Sequence, residues 1–93
     1  MKFQNADLRG ASLVGANLRG TNFRRANLLD SKLRDASVQG AIFDYAKLRN
    51  SDLRGVQGVA ATFIGSDMEG SILDDADFRT AKFSFANLSK ASL

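Results

Sequence analysis

The chain has 93 residues, of which 44% are hydrophobic, a formal net charge of +3, and no Cys, His, Pro or Trp. A chain of this length forms one domain (residues 1–93), and without Cys and His it lacks the two most versatile side chains for nucleophilic and acid–base catalysis. It also has no long apolar run and no signal-peptide core, so we expect a protein without disulfides or a membrane segment, cytoplasmic by default.

A five-residue repeat begins at once and runs through the whole chain. Cut in fives, residues 11–28 read ASLVG, ANLRG, TNFRR and ANL, with a small residue first, a polar residue second and Leu or Phe third. The third position is large and apolar in eighteen of nineteen repeats, and Gly58 is the exception. Because self-similarity at a fixed period outweighs local propensity, we predict that the third residues point inward. The predicted structural core is Phe3, Leu8, Leu13, Leu18, Phe23, Leu28, Leu33, Val38, Phe43, Leu48, Leu53, Phe63, Met68, Leu73, Phe78, Phe83 and Leu88.

A period of five fits neither an α-helix, where it distributes apolar residues around the axis, nor a flat strand, where odd steps alternate faces. A chain that bends once per repeat resolves this conflict and forms a narrow solenoid. Five of the seven Phe residues are spaced by twenty, at Phe3, Phe23, Phe43, Phe63 and Phe83. We therefore predict that residues i and i+20 stack, with four repeats in each coil and between four and five coils in all.

The phrase A-[DN]-[LF] recurs within this frame, at Ala6-Asp7-Leu8, Ala16-Asn17-Leu18, Ala26-Asn27-Leu28, Ala76-Asp77-Phe78 and Ala86-Asn87-Leu88. With this phrase the chain resembles the pentapeptide-repeat proteins over its entire length. The resemblance implies an all-β fold, a right-handed quadrilateral parallel β-helix. It does not imply one activity.

In chain order, residues 1–53 are regular, and Gly, Asn or Asp often takes the fifth position, as expected at a corner. The repeat at 56–60 is broken, because Gly58 takes the inward position and Val56 the small one. We favour volume compensation, in which Val56 and Phe78 of the next coil fill the space beside Gly58. The alternatives are a deformed corner that marks a partner site and sequence drift with no role.

Residues 61–93 resume the frame. Phe85 falls at an outward fifth position and is a candidate contact residue, although isolated exposed aromatic residues are usually inert. In the same column, we expect Arg25 to lie over Tyr45 as a cation–π pair.

The charges are uneven along the chain. Residues 1–56 carry ten basic and five acidic residues, and residues 57–93 carry three basic and five acidic ones. If residues twenty apart stack, opposite charges meet in five of six charged pairs, which would stabilise adjacent coils. The five predicted pairs are Arg24–Asp44, Lys32–Asp52, Lys47–Asp67, Arg49–Glu69 and Arg54–Asp74.

This pairing also weakens two binding hypotheses. Nucleic-acid binding would use Arg9, Arg19, Arg24, Arg25, Arg34, Arg49 and Arg54, but several of these face acidic residues, so nucleic acid is an improbable partner. A metal site would use Asp67, Glu69, Asp74, Asp75 and Asp77, most of which have a predicted basic partner. We assign no catalytic, cofactor-binding or metal-binding residue.

Three functions remain. The first is a non-catalytic structural or protein-interaction module, a small rigid rod whose uncapped ends favour an unknown protein partner or end-to-end self-association. The second follows from the resemblance, because some pentapeptide-repeat proteins are DNA mimics that act on DNA gyrase and confer quinolone resistance. The net positive charge and short length disfavour this alternative. A structural or regulatory protein of cyanobacteria is also compatible with the sequence.

Overall fold

The computed structural model describes all residues 1–93 as a stack of coils measuring 28 × 23 × 20 Å. It contains no helix and no strand longer than one residue. Instead, the second residue of every repeat, from Lys2 to Ser92, forms a parallel β-bridge, and all fifteen bridges join residues i and i+20. The fourth and fifth residues of each repeat form a turn. The predicted step of twenty residues, with four repeats in each coil, is therefore present, but its β-structure consists of single bridges rather than strands.

Backbone hydrogen bonds explain why single bridges suffice. The N–H of an inward third residue donates to the next coil, as from Phe43 to the carbonyl oxygen of Thr62 at 2.7 Å, and the fifth N–H does the same, as from Tyr45 to Ile64 at 2.8 Å. The second N–H donates backward, as from Thr62 to Ala41 at 3.0 Å. Each repeat of the inner coils is thus bonded to the coils on both sides of it, which satisfies the backbone groups that a narrow core buries.

The third residues point into the stack. The Phe column lies at its centre, and the rings of Phe23, Phe43 and Phe63 are parallel within 8° and 4.8 Å apart. Of the predicted core, the residues in the middle of the stack are buried, namely Leu18, Phe23, Leu28, Leu33, Val38, Phe43, Leu48, Leu53, Phe63, Met68 and Leu73. Those of the outer coils are partly buried against them, namely Phe3, Leu8, Leu13, Phe78, Phe83 and Leu88.

The repeat at 56–60 is irregular in side-chain size only. The residue Gln57 keeps its bridges to both neighbouring coils, so the corner is not deformed. A methyl group on Gly58 would lie 2.6 Å from the ring of Phe78, which shows that this ring occupies the space beside Gly58. Phe78 also packs edge-on against Phe63 and Phe83, with centroids 5.4 Å apart, and Val56 is fully buried. The structure therefore supports volume compensation.

All fifth positions from residue 5 to residue 90 have a positive φ of 56–70°. Gly, Asn and Asp adopt this left-handed conformation readily, but the position also holds Arg25, Tyr45, Ala60, Thr80, Phe85 and Lys90. A Cβ atom in this conformation costs about 1–2 kcal/mol. The corners with large or β-branched residues therefore reduce the stability of the fold.

This strain predicts opposite effects for two reciprocal substitutions. We expect Gly20→Ala to lower the free energy of unfolding by about 1 kcal/mol, because the added methyl group meets no atom within 4 Å and only the φ of +65° is unfavourable. Ala60→Gly, at φ 62°, should raise it by about 0.5–1 kcal/mol, since relief of strain exceeds the entropy of the added glycine. Urea denaturation of both variants measures the two changes in the free energy of unfolding. Changes of the same sign would contradict the assignment of strain to the positive φ.

Candidate interaction surface

The outward residues of the stack form four sides. Side 1 contains residues 1–5 and the repeats at steps of twenty from them, and sides 2, 3 and 4 start in the same way from 6–10, 11–15 and 16–20. On each side, the second, fourth and fifth residues of every repeat project outward around the buried third residue. Any function that depends on side chains therefore uses these three positions.

Asp and Asn at the second position have a structural role. The fourth N–H of a repeat lacks a backbone partner, and the side-chain oxygen of Asp or Asn two residues earlier accepts it. An example is the Arg24 N–H, which donates to Asn22 Oδ1 at 2.9 Å. All eight such residues do this, namely Asp7, Asn17, Asn22, Asn27, Asp52, Asp67, Asp77 and Asn87. The Asp and Asn of the A-[DN]-[LF] phrase therefore cap the turn of their own repeat.

The predicted ion pairs between coils are mostly wrong. Only Arg49 and Glu69 lie within ion-pair distance, at 3.5 Å, and Arg49 lies closer to Asp67, at 2.6 Å. No ion pair forms in the other four predicted pairs, Arg24–Asp44, Lys32–Asp52, Lys47–Asp67 and Arg54–Asp74.

Most basic residues that do pair use an acid within the same repeat. Arg54 Nη2 lies 2.6 Å from Asp52 Oδ2, and Asp7–Arg9 and Asp77–Arg79 repeat this arrangement at 2.7 Å. The reason is reach, because residues two apart project from one short segment on the same side, and the carboxylate is already held by the fourth N–H. These pairs stabilise single repeats rather than the contact between coils.

The same ion pairs predict that the stability of the fold depends on pH. Hydrogen bonds from the arginine side chains lower the pKa of Asp7, Asp52 and Asp77 below the usual range. A lowered carboxyl pKa stabilises the fold above about pH 4, and this contribution is lost as the pH falls through the folded-state pKa.

We expect the triple variant Asp7→Asn, Asp52→Asn and Asp77→Asn to lose less stability than the wild type between neutral pH and about pH 2.5, because Asn keeps the cap of the fourth N–H but cannot ionise. Thermal melts at both pH values measure this. Asp75→Asn is the control for removal of one carboxylate, since Asp75 forms no ion pair. Parallel curves for the wild type and the triple variant would contradict the assignment.

The candidate metal and nucleic-acid residues are dispersed. Asp67 and Glu69 contact Arg49, and Asp74 Oδ1 accepts a hydrogen bond from Ser92 Oγ at 2.5 Å. No three acidic side chains converge as metal ligands. The seven candidate arginines are distributed over all four sides, so they form no single basic stripe.

Side 1 differs from the others in charge. Its outward residues include four basic residues, Lys2, Arg24, Arg25 and Lys82, and one acidic residue, Asp44, which gives it a net charge of +3. None of the five ion pairs involves side 1. Sides 2, 3 and 4 have net charges of 0, −1 and +1, so the excess charge of the chain lies on side 1.

Side 1 also carries exposed aromatic residues. The predicted contact of Arg25 with Tyr45 is present, with the guanidinium 5.4 Å from the ring centroid, and Arg24 lies at 5.1 Å from the same ring, which the sequence analysis missed. The ring lies over Gly65, where a methyl group would be 2.6 Å from it. Gly65, twenty residues after Tyr45, was the signal in the sequence that the ring lies flat there. Phe85, in the same column, is 94% exposed.

The structure has no helix of the length and hydrophobicity needed to cross a bilayer. None of the curated proteins is significantly similar to the chain in sequence.

Solved structures show the same fold. A pentapeptide repeat protein from the thylakoid lumen of Arabidopsis thaliana matches with a TM-score of 0.96 at 24% identity, over 99% of this chain and 64% of that one. HetL, a pentapeptide repeat protein involved in heterocyst differentiation regulation in the cyanobacterium Nostoc sp. strain PCC 7120, matches with a TM-score of 0.72 at 22% identity, over 99% of this chain and 55% of HetL. QnrB1, a plasmid-mediated fluoroquinolone resistance protein, matches with a TM-score of 0.65 at 22% identity, over 99% of this chain and 53% of QnrB1. The chain thus spans 53–64% of the length of these proteins.

A family model places the chain in sequence as well. The model described as pentapeptide repeats matches eight copies, over residues 2–40, 30–57 and 59–93. These ranges include nearly every residue of the stack, both before and after Gly58. The chain therefore belongs to the pentapeptide repeat family.

Proposed function

We propose that the chain is a non-catalytic structural and protein-interaction module, built as the right-handed quadrilateral β-helix of its family. The observation that supports this most strongly is the shape of its surface. The core is filled by the third residues, no pocket opens between the coils, and the outward side chains lie on flat sides held by 62 backbone hydrogen bonds. Such a surface suits a protein partner better than a small substrate, which needs a concave site.

Affinity capture with cross-linking tests this proposal. The bait is the 93-residue chain, and the control is a variant in which the outward fourth residues of all four sides are replaced by Ser, while the Asp and Asn caps and the inward residues are kept. We expect a protein that cross-links to the outward residues of the wild type and not to the control. Absence of both a specific partner and self-association would contradict the proposal.

End-to-end association is the second form of the same function. In the 93-residue chain, the inward residues of the outer coils, among them Phe3, Phe83 and Leu88, are only partly buried. Stacking of two ends would bury them and extend the ladder of bridges. Light scattering over a concentration series should then show a dimer or a longer assembly, and Phe3→Ser should reduce it. A monomer at every concentration would exclude this form.

The DNA-mimic function is a less favoured candidate. The likeness in fold to QnrB1 motivates it, at 22% identity. A mimic of DNA needs an acidic side, because it replaces a row of phosphates. No side of this chain has a net charge below −1. We therefore expect no effect of micromolar protein on supercoiling by DNA gyrase, and inhibition or protection of the enzyme would reverse this ranking.

A further inference from the structure

A single column of side 1 combines the features of a recognition site. In chain order it contains Asn5, Arg25, Tyr45, Gly65 and Phe85, each at the fifth position of its repeat. Arg24 joins Arg25 in covering the Tyr45 ring. From the second coil to the fifth, this part of side 1 therefore presents two guanidinium groups, the Tyr45 ring that they cover, and the exposed ring of Phe85.

Phe85 contributes nothing to the fold that would explain its presence. Its side chain is 94% exposed, and its φ of 61° is strained for a residue with a Cβ atom. An aromatic residue in this position thus has two unfavourable features and no packing contact that compensates for them. Isolated exposed aromatic residues are usually inert, but Phe85 shares its column with Arg25 and Tyr45, which form a cation–π contact.

The charges of side 1 restrict the occupant. Its net charge of +3 is not neutralised by any ion pair, so an acidic partner is favoured and a second copy of side 1 is repelled. A nucleic acid suits this side less well. The basic residues of side 1 lie in its first two coils and in its last one. Between them are the half-buried side chains of Ile42 and Ile64 and the carboxylate of Asp44, which accepts a hydrogen bond from the Ile64 N–H at 3.1 Å. A phosphate backbone would meet a carboxylate and apolar side chains there.

The spacing of the column sets the length of the segment. Adjacent coils are about 4.8 Å apart, so the backbone positions of Arg25 and Phe85, three coils apart, are separated by about 14 Å. An extended peptide advances about 3.3–3.6 Å per residue and covers this distance with about four residues.

From these observations, and resting on the proposed function as a protein-interaction module, we infer that side 1 binds an extended acidic segment of a partner protein. Its carboxylates pair with Arg24 and Arg25, and an apolar residue about four positions away packs on Phe85. Arginine guanidinium groups suit carboxylates because they donate two parallel hydrogen bonds, and Tyr and Arg are enriched where binding energy concentrates.

Tyr45 makes the test direct, because the chain has one Tyr and no Trp, so its fluorescence reports side 1 alone. The probe is the end-capped peptide Asp-Asp-Ser-Ser-Leu-Leu, which has no aromatic residue, titrated at low salt. We expect a saturable change in Tyr45 fluorescence and shifts of the side 1 amides in NMR spectra. The peptides Asn-Asn-Ser-Ser-Leu-Leu and Asp-Asp-Ser-Ser-Ser-Ser should each bind at least about tenfold more weakly.

Matched variants assign the contacts. Arg24→Gln with Arg25→Gln should abolish binding, whereas Arg34→Gln, on side 3, should not change it. Phe85→Asn should weaken binding at least about tenfold and leave the melting temperature equal or higher, because Asn tolerates a positive φ. Lys90→Asn is its control, at the fifth position of side 2 with a φ of 59°.

Three results would overturn the inference. One is binding of the acidic peptide that does not depend on Arg24, Arg25 and Phe85, or no binding at all. Another is tighter binding of a thymidine dodecamer through the same residues, which would make a nucleic acid the occupant. A third is a captured protein that cross-links only to sides 2, 3 and 4, which would leave the proposed function intact and remove side 1 from it.

Discussion

Phe43→Ala is expected to lower the free energy of unfolding by about 3–5 kcal/mol, the largest effect of any substitution considered for this chain. The ring is fully buried and stacks at 4.8 Å on Phe23 below it and Phe63 above it. Its removal leaves a cavity that the neighbouring rings cannot fill, because each is fixed by its own coil. Small domains are stable by only about 5–15 kcal/mol, so the loss is a large fraction of the total. Urea denaturation followed by circular dichroism measures it.

Phe85→Ala is the matched control for this substitution. It removes the same side chain from a position that is 94% exposed, and we expect a change within about 0.5 kcal/mol. Phe3→Ala, at a partly buried end of the column, should fall between the two. If Phe43→Ala were no more harmful than Phe85→Ala, the Phe column would not be the source of the stability of the stack.

Gly58→Leu should lower the free energy of unfolding by about 1–3 kcal/mol, although it restores the apolar consensus of the repeat. The reason is that the Phe78 ring already occupies the space, 2.6 Å from the site of the new Cβ atom. Phe78→Leu alone leaves a void beside Gly58 and should also destabilise the fold. In the double variant the two leucines have room for each other, so we expect most of the lost stability to return.

A double-mutant cycle with urea denaturation measures this coupling, which should be about 1–3 kcal/mol in the favourable direction. The comparison pair is Phe78→Leu with Gly20→Ala, which lie in different coils and should be additive within about 0.5 kcal/mol. Additivity of Gly58→Leu and Phe78→Leu would show that Phe78 does not compensate for Gly58.

The sequence was sufficient to predict the buried part of the molecule. Each repeat bends once and points its third residue inward, so the inward residues follow from the periodicity. The step of twenty follows from the Phe spacing. The compensation of Gly58 by Phe78 could be predicted for the same reason, because stacking places the two residues in adjacent coils. The sequence did not show that β-pairing is limited to one residue per repeat, since that depends on how sharply the turn at the fourth and fifth positions bends the chain.

The outward surface was harder to predict. Stacking alone suggested ion pairs between coils, but the reach of the arginine side chain and the fixed carboxylate favour partners two residues away, as in Asp52–Arg54. The contact of Arg24 with Tyr45 could not be found from columns, because these residues occupy different positions of their repeats. The Gly, Asn and Asp at most fifth positions indicated corners, but composition alone did not show that Thr80 and Phe85 adopt the same positive φ.

The twenty-residue step of the bridges means that the identity of each side is set by counting residues from the start of the stack. Removal of twenty residues would shorten the stack by one coil and leave every later residue on its original side. Removal of five, for example 46–50, would keep all later residues correctly inward or outward but turn the remainder of the rod by a quarter. Phe85 would then leave the column of Tyr45, and the Phe stack would be divided between two walls. Single-repeat insertions and deletions would therefore keep the inward and outward pattern while changing which residues share a side, a route by which one architecture acquires different partners.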